Sequence, residues 1–249
     1  MPSVADTFAH VADGYDRLNR ILSLGLDVLW RRRALARLGS RMVNGGCRPL
    51  TILDLATGTA DFALAAARRF PSAHVTGLDL TSAMLEIGVR KVAASGLAER
   101  IALQAGDAAA LPFADGAFDV ALCAFGFRNF PDIPAALSEA ARVLRDEGRL
   151  AVLEFFRPRS ALLGAFTAGW VRCLAALFAK GRIAGYAYLR ASIATTCSSD
   201  EFAAMARTAG FAVERTDFFL PACSCLVLRK SCGTPLANGV EFDRLHEQP

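Results

Sequence analysis

The stretch Thr51-Ile-Leu-Asp-Leu-Ala-Thr-Gly-Thr-Ala-Asp61 constrains the fold more than any other part of the chain. Its apolar run, Ile52 to Ala56, is interrupted only by Asp54. A run that short, bounded by turn residues, predicts a strand buried on both faces. The small residues Thr57-Gly58-Thr59-Ala60 follow, and an alanine-rich helical pattern runs from Asp61 to Arg69. Strand, small-residue turn and helix open an α/β nucleotide-type site, because the free N–H groups at the helix start face a ligand that the backbone can approach closely. A plain structural turn fits the same residues equally well. Asp79 adds weight to the first reading. It lies 21 positions after Gly58 and ends a second strand pattern, His74-Val-Thr-Gly-Leu-Asp79. A carboxylate at that strand tip can hold a ribose diol.

The alternation continues downstream. Thr81 is a candidate N-cap for a helix with Leu85, Val89 and Val92 on one face. A third strand is predicted over 100–105, ending at Gly106-Asp107, and a fourth over 118–125 after the turn Asp115-Gly116. Pro131 and Pro134 open a helix, and Asp146-Glu-Gly148 turns into a fifth strand over 149–155. Such repetition argues for a parallel sheet. Ser199 is the candidate cap of a last helix ending at Gly210, and two strands, 211–219 and 222–228, flank the turn at Pro221. So tight a connection needs an antiparallel pair. Residues 1–47 read as a helical arm with an apolar face that includes Leu26, Leu29 and Trp30; residues 48–230 form the main domain, and 231–249 a frayed polar tail. Trp30-Arg-Arg-Arg33 is a basic knot, favoured as a solvated helix face over a phosphate or lipid-headgroup contact.

A 53% hydrophobic content excludes a disordered chain, and 249 residues suit one α/β domain. The net charge of +4 is mild and its Lys and Arg are scattered, so a nucleic-acid partner is not expected. Seven cysteines, an odd number without framework spacing, fit buried thiols in a reducing cytoplasm. Cys223-Ser-Cys225 has no CxxC or histidine support, so no metal is expected. The first 15 residues carry Asp6, His10 and Asp13 and do not resemble a signal peptide. Ala161 to Ala179 is mostly apolar, but Arg172 near its middle would cost a spanning helix about 2.5–3.5 kcal/mol. It reads as a buried or interfacial helix within a 159–190 insertion.

Polar groups gather at one edge of this predicted sheet. Asp54 lies in the first strand, Asp79 ends the second, Asp107 follows the third, and Arg128-Asn129 follows the fourth. Ligands bind across that edge in open α/β sheets, and Asp107 could accept from an adenine amino group. Each aspartate taken singly is more often a turn or cap residue.

Those residues resemble the class I S-adenosylmethionine-dependent methyltransferases, and within them the ubiquinone/menaquinone biosynthesis C-methyltransferases. The resemblance covers about residues 8–229. It rests on Tyr15-Asp16 through Trp30, Leu53-Asp-Leu-Ala-Thr-Gly-Thr-Ala-Asp61, Gly106-Asp-Ala108 with Leu111-Pro-Phe113, Phe125-Gly-Phe-Arg-Asn129, Val152-Leu-Glu-Phe155 and Tyr188-Leu-Arg-Ala-Ser-Ile193. It implies a Rossmann-like α/β fold: a seven-stranded, mostly parallel sheet with a C-terminal antiparallel hairpin and a helical lid. It implies S-adenosylmethionine as cofactor, held by Asp54, Gly58, Thr59, Asp79, Asp107, Ala108 and Ala124. Arg128, Asn129 and Tyr15 would face a lipid-tailed quinol, with Arg128 stabilising its phenolate. The arm and the insertion would form the lid, with Phe166, Trp170 and Phe178 as tail contacts or simply core. A cytoplasmic enzyme, peripheral on the inner face of a membrane, follows, and a homodimer is left open.

Three positions depart from the family pattern. Ala60 stands where the turn usually has a third glycine, at a cost of about 1 kcal/mol if its φ is positive. Ala124 replaces a frequent serine, and Ala187 a common arginine. Three other readings compete. A base methyltransferase would carry an Asp/Asn-Pro-Pro-aromatic segment after the fourth strand, and Phe125 to Asn129 contains none. The others are a methyltransferase of a soluble small molecule and a degenerate cofactor-binding module.

Overall fold

A computed structural model describes residues 16, 20, 23–38, 48–158, 160, 164–166, 168–169, 191–219 and 223–231. Tyr15, Trp170, Phe178, most of the 159–190 insertion, Tyr188 and the tail from 232 onward lie outside these residues. Seven strands form one sheet in the order β3-β2-β1-β4-β5-β7-β6. They are β1 (Thr51–Leu55), β2 (His74–Asp79), β3 (Ile101–Ala105), β4 (Phe118–Ala124), β5 (Leu144–Glu154), β6 (Phe211–Phe219) and β7 (Cys223–Lys230). The first five are parallel, and β7 runs antiparallel between β5 and β6. The sheet class and the closing antiparallel pair are as the sequence predicts.

Helices cover both faces. On one side lie α1 (Leu26–Arg37), α2 (Asp61–Arg69) and α3 (Ser82–Ala94). Trp30 and Leu35 of α1 and Phe62 of α2 pack there with Ile52, Val120, Ala151 and Val227 from the sheet. On the other side, α4 (Ile133–Val143) and α5 (Ser199–Thr208) bury Leu137, Ala140 and Phe202 against Leu53, Val152 and Leu226. Side chains alternate between these layers along each strand, which is why the central strands read as continuous apolar runs.

Three local expectations are corrected. Thr81 sits at the α3 N-cap position but makes no side-chain cap; its N–H instead donates to Asp79 Oδ1 at 2.9 Å. The cap of α5 is Ser198, not Ser199: Ser198 Oγ accepts from Glu201 N at 3.2 Å while Glu201 Oε2 accepts from Ser198 N at 2.7 Å. That reciprocal pair is a capping box, whose spacing is already visible as Ser-x-x-Glu. The Asp146-Glu-Gly148 segment lies inside β5, which starts at Leu144, and Glu147 takes φ +63° there. The register of β4 on β5 shifts between Phe118 and Val120, so the apparent turn is an irregularity within a paired strand.

Candidate active site

Strand order reverses between β1 and β4, since β2 and β3 continue on one side and β5 on the other. The parallel strand ends diverge at such a point and leave a crevice beyond their carboxyl ends. A cavity of about 340 Å³ opens there. Gly58, Asp79, Asp107, Ala108, Ala124 and Asn129 line it. A second, smaller cavity of about 30 Å³ adjoins it and shares Ala56, Gly58, Ala124 and Phe125. Asp54 and Thr59 line that one, with Asp16, Arg31 and Asp61. All seven residues expected at the cofactor thus border one of two joined hollows. Of the three expected at the acceptor, Asn129 lines the larger cavity, Arg128 lies behind it, and Tyr15 is outside the described residues.

Backbone strain concentrates on these walls. Ala56 and Phe125, which line both cavities, have φ of +50° and +61°, and Ala60, just behind at the start of α2, has φ of +66°. The left-handed region costs a residue with a Cβ roughly 1–2 kcal/mol, so three such residues around one crevice are maintained by their surroundings. The doubt about Ala60 resolves to the strained case, with its methyl fully buried. Gly58 also has positive φ, and an added Cβ would meet nothing within 4 Å. That open space beside the backbone is what a ligand in the crevice requires. At Gly126 an added Cβ would fall 2.8 Å from both Ala56 Cβ and Cys123 Sγ, so glycine lets the β4 exit pass against the β1 exit.

Asp79 fixes the turn. Its Oδ2 accepts from Gly58 N at 2.7 Å and its Oδ1 from Thr81 N at 2.9 Å. Each carboxylate oxygen has a second acceptor position, so the group can still receive two hydroxyls. Burial raises its pKa, against the pull of those N–H donors. Asp54 is buried more completely, and its carboxyl is pushed up to about 7, chiefly by desolvation. Thr57 Oγ1 donates to it at 2.7 Å. Asp107 is exposed and accepts from Ala109 N at 2.9 Å.

A charge network closes the smaller cavity. Lys91 Nζ donates to Asp16 Oδ2 at 2.7 Å and to Asp61 Oδ1 at 2.6 Å, while Thr59 Oγ1 donates to Asp16 Oδ1 at 2.5 Å. Burial alone would raise the Asp61 carboxyl, but the charges of Arg31 and Lys91 outweigh it and hold the group below its ordinary value. Sequence reading missed this network because Asp16, Asp61 and Lys91 are far apart in the chain and each looks like an ordinary surface charge.

Arg128 takes a different place from the one expected. Its Nη1 donates to Glu154 Oε1 at 2.5 Å and to Phe125 O at 2.9 Å, and its side chain is 6% exposed. Glu154, at 1% exposure, also accepts from the backbone N–H of Arg128 and Phe155. Asn129 Nδ2 donates to the same Phe125 carbonyl at 3.2 Å. Arg128 therefore braces the turn that carries Asn129. Its partner was signalled in the sequence by one carboxylate inside the apolar run Val152-Leu-Glu-Phe155.

Relatives match this sequence over most of the chain. The demethylmenaquinone methyltransferase of Thermus thermophilus is 44% identical over 209 residues, covering 83% of this chain and 91% of that one. The demethylmenaquinone methyltransferase of Deinococcus radiodurans is 40% identical over 212 residues, covering 84% and 85%. A solved S-adenosylmethionine-dependent methyltransferase of Thermotoga maritima superposes with a TM-score of 0.61 at 20% identity, over 90% of this chain and 98% of that one, a likeness of fold. Residues 2–223 carry the pattern of the ubiE/COQ5 methyltransferase family, and the chain belongs to that family.

Proposed function

We propose that this methyltransferase moves a methyl group from S-adenosylmethionine to a ring carbon of a prenylated quinol, such as demethylmenaquinol or a ubiquinone precursor. One observation carries the reading. The crevice at the strand-order reversal has two carboxylates on its β2–β3 side, Asp79 and Asp107, and an amide, Asn129, on its β4 side. The names of the relatives supply the acceptor class.

The residues fit such a cofactor. Asp79 offers its two remaining acceptor positions to a ribose diol, and Asp107 can accept from an adenine amino group. Leu80, Ala108 and Phe130 give an apolar wall for a purine. The smaller cavity presents both charge signs, Arg31 with Asp16 and Asp54, which suits a zwitterionic amino-acid end. When bound, S-adenosylmethionine supplies an electrophilic methyl on a sulfonium. The protein then has three tasks: aligning a ring carbon with that methyl, keeping water out, and favouring the ionised ring hydroxyl. Asn129 and Tyr15 orient the hydroxyl. Arg128 acts as a positioning residue, holding Asn129 through Phe125 and Glu154. The arm and the 159–190 insertion cover the acceptor's tail, and a membrane surface delivers it. Among the described residues no helix is long and apolar enough to cross a membrane.

Incubation with methyl-labelled cofactor and detergent-dispersed demethylmenaquinol should give a product labelled on the ring carbon, as read by mass fragmentation. Label on oxygen, or methylation only of soluble phenols, would refute the acceptor assignment.

A further inference from the structure

A second hollow, of about 550 Å³, lies outside the methyl-transfer crevice between α1 and α2. Among the described residues its charged lining is five arginines, Arg20, Arg31, Arg32, Arg68 and Arg69, against the single carboxylate Asp61. Arg20 and Arg31 are engaged with Asp27 and Asp61. Arg32, Arg68 and Arg69 have no acidic partner among the described residues. Arg68 and Arg69 in the last turn of α2 complement its dipole, but Arg32 sits in the middle of α1 and answers no helix end.

Arg31 gives a second, independent sign. Its side chain is 9% exposed, its Nη1 is taken by Asp27 at 2.5 Å, and its buried Nε has no hydrogen-bond partner. Buried donors are normally satisfied, so this guanidinium at the inner wall of the groove is incompletely paired. Guanidinium groups match phosphate oxygens in geometry as well as charge.

The rim states what kind of phosphate. Val28 lines the groove, and Val28 and Leu29 on the same helix are 41% and 40% exposed, with Leu24 beside them at 53%. Exposed aliphatics next to a basic groove suit the boundary between headgroups and acyl chains. A single-stranded nucleic acid would want stacking rings, and none of the described residues that line the groove is aromatic.

We propose that the α1–α2 groove binds the phosphate of an anionic phospholipid at a membrane surface, with Arg32, Arg68 and Arg69 on the phosphate and Val28 and Leu29 in the acyl boundary. Arg31 and Asp61 line both this groove and the small cavity of the crevice, so a headgroup there sits beside the site where methyl transfer is proposed. Docking in this way sets that crevice at the lipid surface.

The test is co-sedimentation of the full chain with vesicles. The wild type should bind phosphatidylglycerol–phosphatidylcholine vesicles at least tenfold more tightly than pure phosphatidylcholine, with loss at high salt. Each arginine near the surface contributes roughly fivefold, so R32E/R68E/R69E, which also adds three negative charges, should lose at least about a hundredfold. V28S/L29S should weaken binding while keeping its salt dependence. Both variants should titrate S-adenosylmethionine as the wild type does, which shows them folded. Equal binding to the two vesicle types, or unchanged binding by the triple variant, would overturn the proposal. So would inorganic phosphate protecting the groove arginines from a guanidine-specific reagent when vesicles do not, which would mark a free-anion site. Vesicle binding can fail with methyl transfer intact, and the reverse, so the two proposals are tested separately.

Discussion

Asp79 and Asp54 stand in adjacent strands at the crevice, and their environments give them different tasks. Asp79 does two things at once, stapling Gly58 and Thr81 by their N–H groups and facing the larger cavity. Replacing it with Ala should weaken S-adenosylmethionine binding by about 1–3 kcal/mol, the scale of a lost charge-assisted hydrogen bond. Calorimetric titration reads this directly, and an unchanged affinity would dismiss the ribose assignment. Asp54 is a statement about pH. Its carboxyl rises from 3.8 to about 7 on folding, mainly through desolvation. Between those values the folded chain holds a proton that the unfolded chain has released. Stability therefore falls as pH climbs through the window and levels off above about 7. Asp79 shifts in the same direction, so the clean measurement is a difference. Urea midpoints at steps from pH 4 to pH 8 should fall less steeply in Asp54→Asn than in the wild type. Parallel curves would show that Asp54 is ionised in the fold.

At the scale of elements, the turn after β4 is held by β5. The Arg128–Glu154 pair is almost wholly buried and joins the 3₁₀ turn Phe127–Asn129 to the end of β5. A buried pair adds little net stability, but removing one partner strands the other's charge. Glu154→Leu should therefore cost about 3–5 kcal/mol, and the double change Arg128→Met/Glu154→Leu should recover much of that loss. Chemical denaturation of the two variants gives both numbers, and additive losses would contradict the coupling. The double variant should also keep its cofactor affinity while turnover falls, because Asn129 loses its brace and Asp79 does not. Much of this architecture was legible beforehand. The period-2 and period-3.6 runs located every described strand and most helix ends, and the short connection expected at Pro221, itself outside the described residues, required the antiparallel pair seen between β6 and β7. What stayed hidden needed partners distant in sequence. The strand order is set by packing, not by local pattern. Glu154 became interpretable only once β5 lay beside β4, and the basic knot Arg31 to Arg33 only once α2 brought Arg68 and Arg69 across from it.

The whole molecule poses the question of whether the N-terminal arm is a removable lid. Sequence pattern separates 1–47 from the main domain, yet α1 is part of the core. Trp30, Ala34, Leu35 and Leu38 are each at most 2% exposed, and they share one cluster with Ala151 and Leu153 of β5 and Cys225 and Val227 of β7. The Trp30 ring meets Phe125 and Phe155 edge-on at 6.4 and 5.9 Å, directly behind the strained Phe125 of the crevice. No other described helix covers that part of the sheet face, because α2 and α3 pack over β2, β3 and β4 and α4 and α5 lie on the opposite side. The arm thus completes the fold and supports the site from behind. Asp16, also in the arm, lines the smaller cavity, where it is tied to Thr59 and Lys91. Trp30→Ala should lower stability by about 3–5 kcal/mol, the range for losing a fully buried large aromatic. Because Phe125 then loses its backing, S-adenosylmethionine binding should weaken even where the variant remains folded. A chain starting at Arg48 should expose the β5–β7 face and aggregate instead of giving a cofactor-binding domain. Circular dichroism melts and light scattering on the two proteins distinguish the cases. A truncated chain that melts cooperatively near the wild-type temperature would show the arm to be a detachable cover.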